Sequence, residues 1–271
     1  VEINNSGLVF KNFMIYDENG QPGTVNGGVY HNKLKDINFD FLIQSNNMKL
    51  LNTSEIDNSL YYGTIYATAT TTIKGTPLNF GIDVVGKTEP NTLFVLPMTS
   101  TYTSKEASFI TFVTEKSKED STQNLDPIKS KMEYYFKMDI EVTPDAETQI
   151  VFDPKVGDLI RGNSSGNIKL EYSSDEELYM YGELEVVEGD YLFTLQNIIN
   201  KRFHIKQGGS IIWDGDPYQA KMDLDAVYSL RAPLIDLMRA YEDTSSVYRR
   251  PTNVDCHMHM SGSLMSPEIL F

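Results

Sequence analysis

Apolar and polar residues alternate with a period of two along most of this chain. That pattern gives each strand one face for burial and one for water. Ile37, Phe39, Phe41 and Ile43 share one side, while Asn38 and Asp40 take the other. Ile65, Ala67, Ala69, Thr71 and Ile73 oppose Tyr66, Thr68, Thr70 and Thr72. The same alternation recurs over Leu78–Val84, Phe136–Val142, Ile168–Tyr172, Leu178–Val186 and Ala220–Tyr228. Turn chemistry separates the runs: Asp17-Glu18-Asn19-Gly20, Lys74-Gly75-Thr76-Pro77, Ser164-Ser165-Gly166-Asn167, Glu188-Gly189-Asp190, Gln207-Gly208-Gly209-Ser210 and Asp214-Gly215-Asp216-Pro217. The rhythm is that of an antiparallel meander.

Two segments break the pattern. Residues 104–131, with Thr114-Glu115-Lys116-Ser117-Lys118-Glu119-Asp120-Ser121 at their centre, are charged and aperiodic and read as a mobile loop or crossover. They divide the chain into an N-terminal β block, 1–103, and a C-terminal β block, 132–271, continuous with the first. Between Ala232 and Tyr241, Leu234, Ile235, Leu237, Met238 and Tyr241 fall at helical spacing and predict one short amphipathic helix.

Nearly every strand therefore has a greasy face, and almost no helix is available to cover it. Two sheets can stack, one sheet can close into a barrel, or one long sheet can curl and keep an apolar interior partly available to a guest. Alternation alone does not choose among the three.

Composition narrows the partners. A formal charge of −15 argues against nucleic acid and against electrostatic adhesion to anionic membranes. One cysteine, Cys256, allows no intramolecular disulfide and no Cys-rich zinc site. No apolar run approaches the ~20 residues of a membrane helix. The chain opens at Val1 inside strand-like sequence, so the expectation is a fragment whose targeting or anchoring segment lies outside it.

The C-terminal block resembles the C-terminal region of TamB-like proteins, in a Bacteroidetes-like version. Gly157-Asp158-Leu159-Ile160-Arg161-Gly162 with Gly166-Asn167-Ile168-Lys169-Leu170 opens the match. Tyr181-Gly182-Glu183-Leu184-Glu185-Val186-Val187-Glu188-Gly189-Asp190-Tyr191-Leu192-Phe193 follows. Phe203-His204-Ile205, Gly208 to Pro217, Ala220 to Tyr228 and Cys256 to Gly262 continue it in order. In the N-terminal block Asn52-Thr53 before Tyr62-Gly63 is similar to the family too.

The resemblance implies an all-β fold: a long, curled, U-shaped and mostly antiparallel sheet, taco-like, with an apolar interior groove and one short helix. It implies a non-enzymatic periplasmic part of an inner-membrane-anchored envelope protein of a Gram-negative bacterium, akin to AsmA-like bridge-type lipid-transfer proteins. The implied guests are phospholipid acyl chains or nascent outer-membrane protein, and the implied partner is an outer-membrane barrel of the TamA or BamA class. Membrane contact would come through segments absent here, and no cofactor is implied. The family's N-terminal anchor, long upstream repeats and terminal tail are expected to lie outside the sequence Val1–Phe271. The expected lining is Leu178, Met180, Leu184, Val186, Tyr191, Phe193, Phe203, Ile205, Ile211, Trp213, Met222, Leu224 and Tyr228.

Rival chemistry is thin. His257 and His259 offer two ligands on one strand face, against the four of structural zinc. Asp214-Gly215-Asp216 lacks calcium-loop spacing and reads as a turn. Glu183 and Glu185 share a strand face and are the only hint of a glycosidase pair, though a solvated outer face explains them. No nucleophile elbow is present, and Gly208-Gly209 precedes no helix. Two other functions stay open: a scaffold that accepts a partner strand at a sheet edge without lipid transport, and a β-sandwich that binds or cleaves glycans.

Overall fold

The computed structural model describes residues 1–59, 61–98, 132–153, 157–174, 178–195, 199–239 and 246–271. The predicted polar loop or crossover, 104–131, lies outside them. Sixteen strands form one sheet. In the first half these are β1 (Glu2–Asn4), β2 (Gly7–Tyr16), β3 (Pro22–Asn32), β4 (Lys35–Thr53), β5 (Tyr62–Thr76), β6 (Asn79–Thr88) and β7 (Leu93–Pro97). The second half contributes β8 (Glu133–Val142), β9 (Glu147–Asp153), β10 (Asp158–Ser173), β11 (Leu178–Leu195) and β12 (Ile199–Ile205). It ends with β13 (Ser210–Gly215), β14 (Lys221–Ala232), β15 (Thr252–Ser263) and β16 (Ser266–Leu270). A helix α1 (Ile235–Arg239) sits where helical spacing predicts one, and Tyr241 lies outside the described residues.

Three pairs of strands run end to end and share one lane of the sheet. β6 and β7 both run antiparallel to β5; β8 and β9 both run antiparallel to β10. β12 and β13 both lie between β11 and β14. The sheet thus has thirteen lanes, in the order β1, β2, β3, β4, β5, β6/β7, β8/β9, β10, β11, β12/β13, β14, β15, β16. All neighbours are antiparallel except β6–β8 and β7–β9, which pair in parallel and make the two halves of the chain one continuous sheet.

The interruptions line up. β4 shifts register between Ser45 and Met48, β10 between Asn163 and Ser164, and Val187 of β11 is passed over where Val186 and Glu188 meet consecutive partners. The gaps 89–92, 143–146 and 206–209 fall at the same height. A transverse crease therefore crosses the sheet from β4 to β13, as bulges bend strands and increase their twist.

Side chains replace the ladder bonds that the crease removes. Thr92 Oγ1 donates to the Tyr66 carbonyl (2.9 Å) and accepts from the Tyr66 N–H (3.0 Å). The Thr143 N–H donates to Thr88 Oγ1 (2.9 Å), and Asn163 Nδ2 donates to the carbonyls of Pro144 and Ala146 at 2.8 and 3.3 Å. The Ala69 N–H donates to Ser45 Oγ at 3.1 Å. Ser45, Thr88, Thr92 and Ser164 are the buried polar residues among those described, and all four lie on the crease.

Three sequence signals read as chain reversals are instead parts of this line. Ser164-Ser165-Gly166-Asn167 lies inside β10, Glu188-Gly189-Asp190 inside β11, and Gln207 to Ser210 joins two strands of one lane. Turn chemistry and bulge chemistry are the same, because both need residues that tolerate a local break in pairing.

The crease folds the apolar face onto itself. One contiguous cluster joins residues beyond it (Leu96, Ile150, Ile160, Tyr191, Ile205) to residues before it (Ile168, Leu170, Met180, Trp213, Met222). Leu224 and Leu264 are wholly buried. A single-layer sheet leaves one side of every strand in water, so burial this complete requires the sheet to curl and cover itself. The other side carries cross-strand ion pairs, Lys137–Glu171 (3.7 Å), Lys169–Asp139 (3.5 Å) and Lys74–Asp40 (3.9 Å), all exposed and each contributing little. Leu224→Ala is expected to lower stability by about 3 kcal/mol in urea unfolding, whereas Ile43→Ala, on the half-buried part of the same face, is expected to cost about 1 kcal/mol or less. Equal costs would show that the two parts are packed alike.

Candidate functional site

The inner face is continuous from one end of the sheet to the other. In one row of directly paired residues, Phe10, Gly27, Phe41, Ile73, Ile82, Phe136, Tyr172 and Leu178 follow one another across eight lanes. A parallel row runs Phe13, Val25, Ile43, Thr71, Val84, Met138, Leu170, Met180. Rings mark the first row and its neighbour: Phe10–Phe41 at 6.0 Å between centroids, Phe80–Tyr134 at 6.0 Å and Tyr134–Tyr172 at 6.1 Å. Gly27 separates Phe10 from Phe41 with φ of +102°, and a Cβ there would lie 1.9 Å from the Asp40 carbonyl oxygen. The position is closed to any side chain, and the two flanking rings meet over the space it leaves.

Burial along this face is graded. Phe10, Phe41, Ile43, Ile73, Ile82 and Phe136 are half-buried, and Phe13 is 40% exposed. Met180, Leu184, Trp213, Met222 and Leu224 are buried. β2 ends and β3 begins at the height of the crease, so neither continues beyond it. β4, β5, the lanes β6/β7 and β8/β9, β10, β11 and β14 all run past it, so strand length alone does not set the grade.

All thirteen predicted lining residues lie on the inner face. The bulge at Val187 keeps them there, by switching the inward set from even to odd numbers between Val186 and Tyr191. Ten are buried in the packed part: Met180, Leu184, Val186, Tyr191, Phe203, Ile205, Ile211, Trp213, Met222 and Leu224. Leu178, Phe193 and Tyr228 are partly buried at its border. A cavity of about 30 Å³ lies among the ten, beside Trp213, Ile150 and Leu184. Ser164 Oγ and Trp213 Nε1 line it without hydrogen-bond partners among the described residues.

The accessible part of the face, Phe10, Phe13, Phe41, Ile73, Ile82 and Phe136, was absent from the expected lining. The alternation names Phe41, Ile73, Ile82 and Phe136 as inward; what it lacks is any measure of which inward residues stay uncovered.

Charge is scarce on this face. Asp158 and Lys201 are charged residues that the register turns inward. Asp158 accepts a hydrogen bond from the Tyr191 hydroxyl. Burial first, and then the Asp158 charge and this bond, push the Tyr191 phenol well above its ordinary value of 10.0. Lys201 lies at the rim, with its Nζ 3.0 Å from the Tyr228 hydroxyl.

The outer face holds the remaining candidates. Glu183 and Glu185 are exposed there. His259 pairs with Asp225 at 3.0 Å, and Lys206 Nζ lies 3.4 Å from His257 Nδ1. Asp216 caps a short 3₁₀ turn by accepting from the Tyr218 N–H at 2.9 Å, as a turn reading of Asp214-Gly215-Asp216 expects. An open polar concavity of about 400 Å³ lies over the crease, where Asp190 meets His204 (2.7 Å), Arg161 (3.4 Å) and Arg202 (3.9 Å). No group of three or more His, Cys, Asp or Glu residues suited to a metal ion exists among the described residues.

A single curled sheet, polar outside and apolar within, whose inner face is sealed at one end and uncovered at the other, defines a one-sided β-scaffold. The chain matches the family model of the TamB C-terminal domain over residues 11–271, essentially its whole length, and it belongs to that family. The family is an envelope transport and assembly module of Gram-negative bacteria that works with TamA in outer-membrane assembly. No curated protein matches the chain. No helix among the described residues is long and apolar enough to cross a membrane.

The Tyr191 environment makes stability pH-dependent at the alkaline end. The fold holds the neutral phenol, so its contribution is complete below about pH 10 and is lost as pH rises through the raised folded value. Tyr191→Phe is expected to shrink the fall in urea midpoint between pH 8 and pH 11; an unchanged fall would assign the loss to other groups.

Proposed function

We propose that this domain shields apolar guests in transit between the inner and outer membranes of the envelope. The guests are phospholipid acyl chains or the unfolded strands of an outer-membrane protein, and the uncovered inner face of β2 to β8 is the groove that holds them. The observation that carries this reading is the half-buried row Phe10–Phe41–Ile73–Ile82–Phe136, contiguous over six lanes with Gly27 included and unmatched by any covering element among the described residues. Contiguous apolar surface left in water marks a binding face. Of the expected lining, Leu178 continues that row beyond Tyr172, and the ten buried residues form the packed part of the same face.

The energetics suit passage rather than storage. Each buried methylene is worth about 0.8 kcal/mol against water, so a C16 tail gains on the order of 12 kcal/mol. Against a bilayer interior the net gain is close to zero, because both environments are apolar. A wall of this kind protects the tail without trapping it. No step of this mechanism is catalytic.

A second reading rests on the far edge of the sheet. β16 pairs with His259–Ser263, which leaves Thr252–Met258 of β15 with no strand beyond it among the described residues. An open edge can accept a strand from another protein, and an outer-membrane barrel of the TamA or BamA class is the partner that the family suggests.

The groove reading predicts that Phe41→Asp with Ile73→Asp, two directly paired inner-face residues, lowers phospholipid transfer between donor and acceptor vesicles by at least about tenfold. Circular dichroism should show the fold retained. Leu42→Asp, one residue away on the outer face, should leave transfer unchanged. Equal transfer by all three proteins would remove the groove and leave edge pairing as the function.

A further inference from the structure

The four polar residues buried on the crease are not bonded alike. Ser45, Thr88 and Thr92 each bond to backbone across the bend. Ser164 is 5% exposed, and its Oγ has no hydrogen-bond partner among the described residues. Trp213 Nε1 is in the same position, on a residue 3% exposed. Both groups bond to water in the unfolded chain, so burying them without a replacement opposes folding.

The two residues line one cavity of about 30 Å³, whose other walls include Ile150, Leu184, Val186 and Ile205. Its origin is local. β10 shifts register between Asn163 and Ser164, opposite the point where Val187 of β11 is passed over, so the pairing breaks at this height. Trp213 is paired with Gly182, which adds no side chain to the inner face there.

Size and chemistry select the occupant. A water needs roughly 10–15 Å³ of such space and two to four polar partners. The cavity has the volume, an indole N–H that only donates, and a hydroxyl that both donates and accepts. Water can accept from the first and donate to the second at once. A charged occupant would lie against hydrocarbon on most sides and lose its solvation.

We propose that one internal water occupies the crease between β10 and β13, accepting a hydrogen bond from Trp213 Nε1 and bonded to Ser164 Oγ. It ties β10 to β13 across β11, and it does at this stretch of the bend what Thr92 and Asn163 do at theirs. The site lies in the packed part of the sheet and does not depend on any guest on the uncovered face.

Crystals of the full chain that diffract well enough to show ordered solvent test the site directly. One isolated density peak is expected, at about 2.7–3.2 Å from both atoms. A direct bond between Ser164 and Trp213, or a cavity without density, overturns the proposal. Ser164→Ala tests it in solution, because a wet and a dry cavity give opposite signs. If water bridges the two residues, the variant strips it of a partner, and the folded-to-unfolded ratio from urea unfolding falls about fivefold, the effect of one hydrogen bond. If the cavity is dry, the variant removes a buried hydroxyl that had no partner. The ratio then stays level or rises, and that result overturns the bridge whatever the crystal shows.

Discussion

An apolar strand face has to leave water against something, and this chain has almost no helix to supply the cover. Of the described residues, 75% lie in strands and 5% in helices. The sheet therefore has to act as its own second layer, and everything else in the structure follows from how far it can do so. Around Leu224 and Trp213 the bent sheet seals the side chains within it. On β2 to β8 the inner face stays half in water, both where a lane stops at the crease, as β2 and β3 do, and where it runs past, as β4 and β5 do. Core and candidate groove are thus one surface, covered unequally along the sheet.

The crease is what makes the fold-back affordable in backbone terms. Bending a strand sharply breaks ladder bonds, and each buried N–H or C=O left unpaired is costly. Threonine, serine and asparagine side chains take over at those points: Thr92 on both backbone groups of Tyr66, Thr88 on Thr143, Asn163 on the 144 and 146 carbonyls. Four lanes or more break at one height, so the bend is shared across the sheet and no single strand carries it alone. Ser45, Thr88 and Thr92, buried along this line, are structural for that reason, although buried hydroxyls inside an apolar sheet invite a catalytic interpretation.

Much of the candidate site was readable in the alternation, with particular limits. The period of two identified Leu178, Met180, Leu184 and Val186 of β11 and Met222, Leu224, Ala226 and Tyr228 of β14 as inward, and Phe41, Ile73 and Phe136 as well. It could not separate a sealed residue from an accessible one. Leu224 and Phe41 carry the same local pattern and differ only in what lies opposite them after the sheet bends. The turn-like segments at 164–167, 188–190 and 207–210 misled for a related reason. Glycine, serine and aspartate mark a break in pairing, and whether the chain then reverses or continues in the same lane depends on its neighbours. Lys201 was invisible to pattern reading, because one lysine beside a strand looks like solvated surface until the register of β12 on β11 turns it inward.

By itself, then, the sequence determined strands with one apolar and one polar face, the inner and outer sets of the seven runs that alternate, and a short helix near 235, because these depend on local periodicity. Only the tertiary structure decided where the sheet bends, which lanes have an opposite wall, and which stretch of oily surface is left for a guest. Those features arise from pairing between residues far apart in the chain, and the free energy of covering a face depends on the partner surface, which no local window contains.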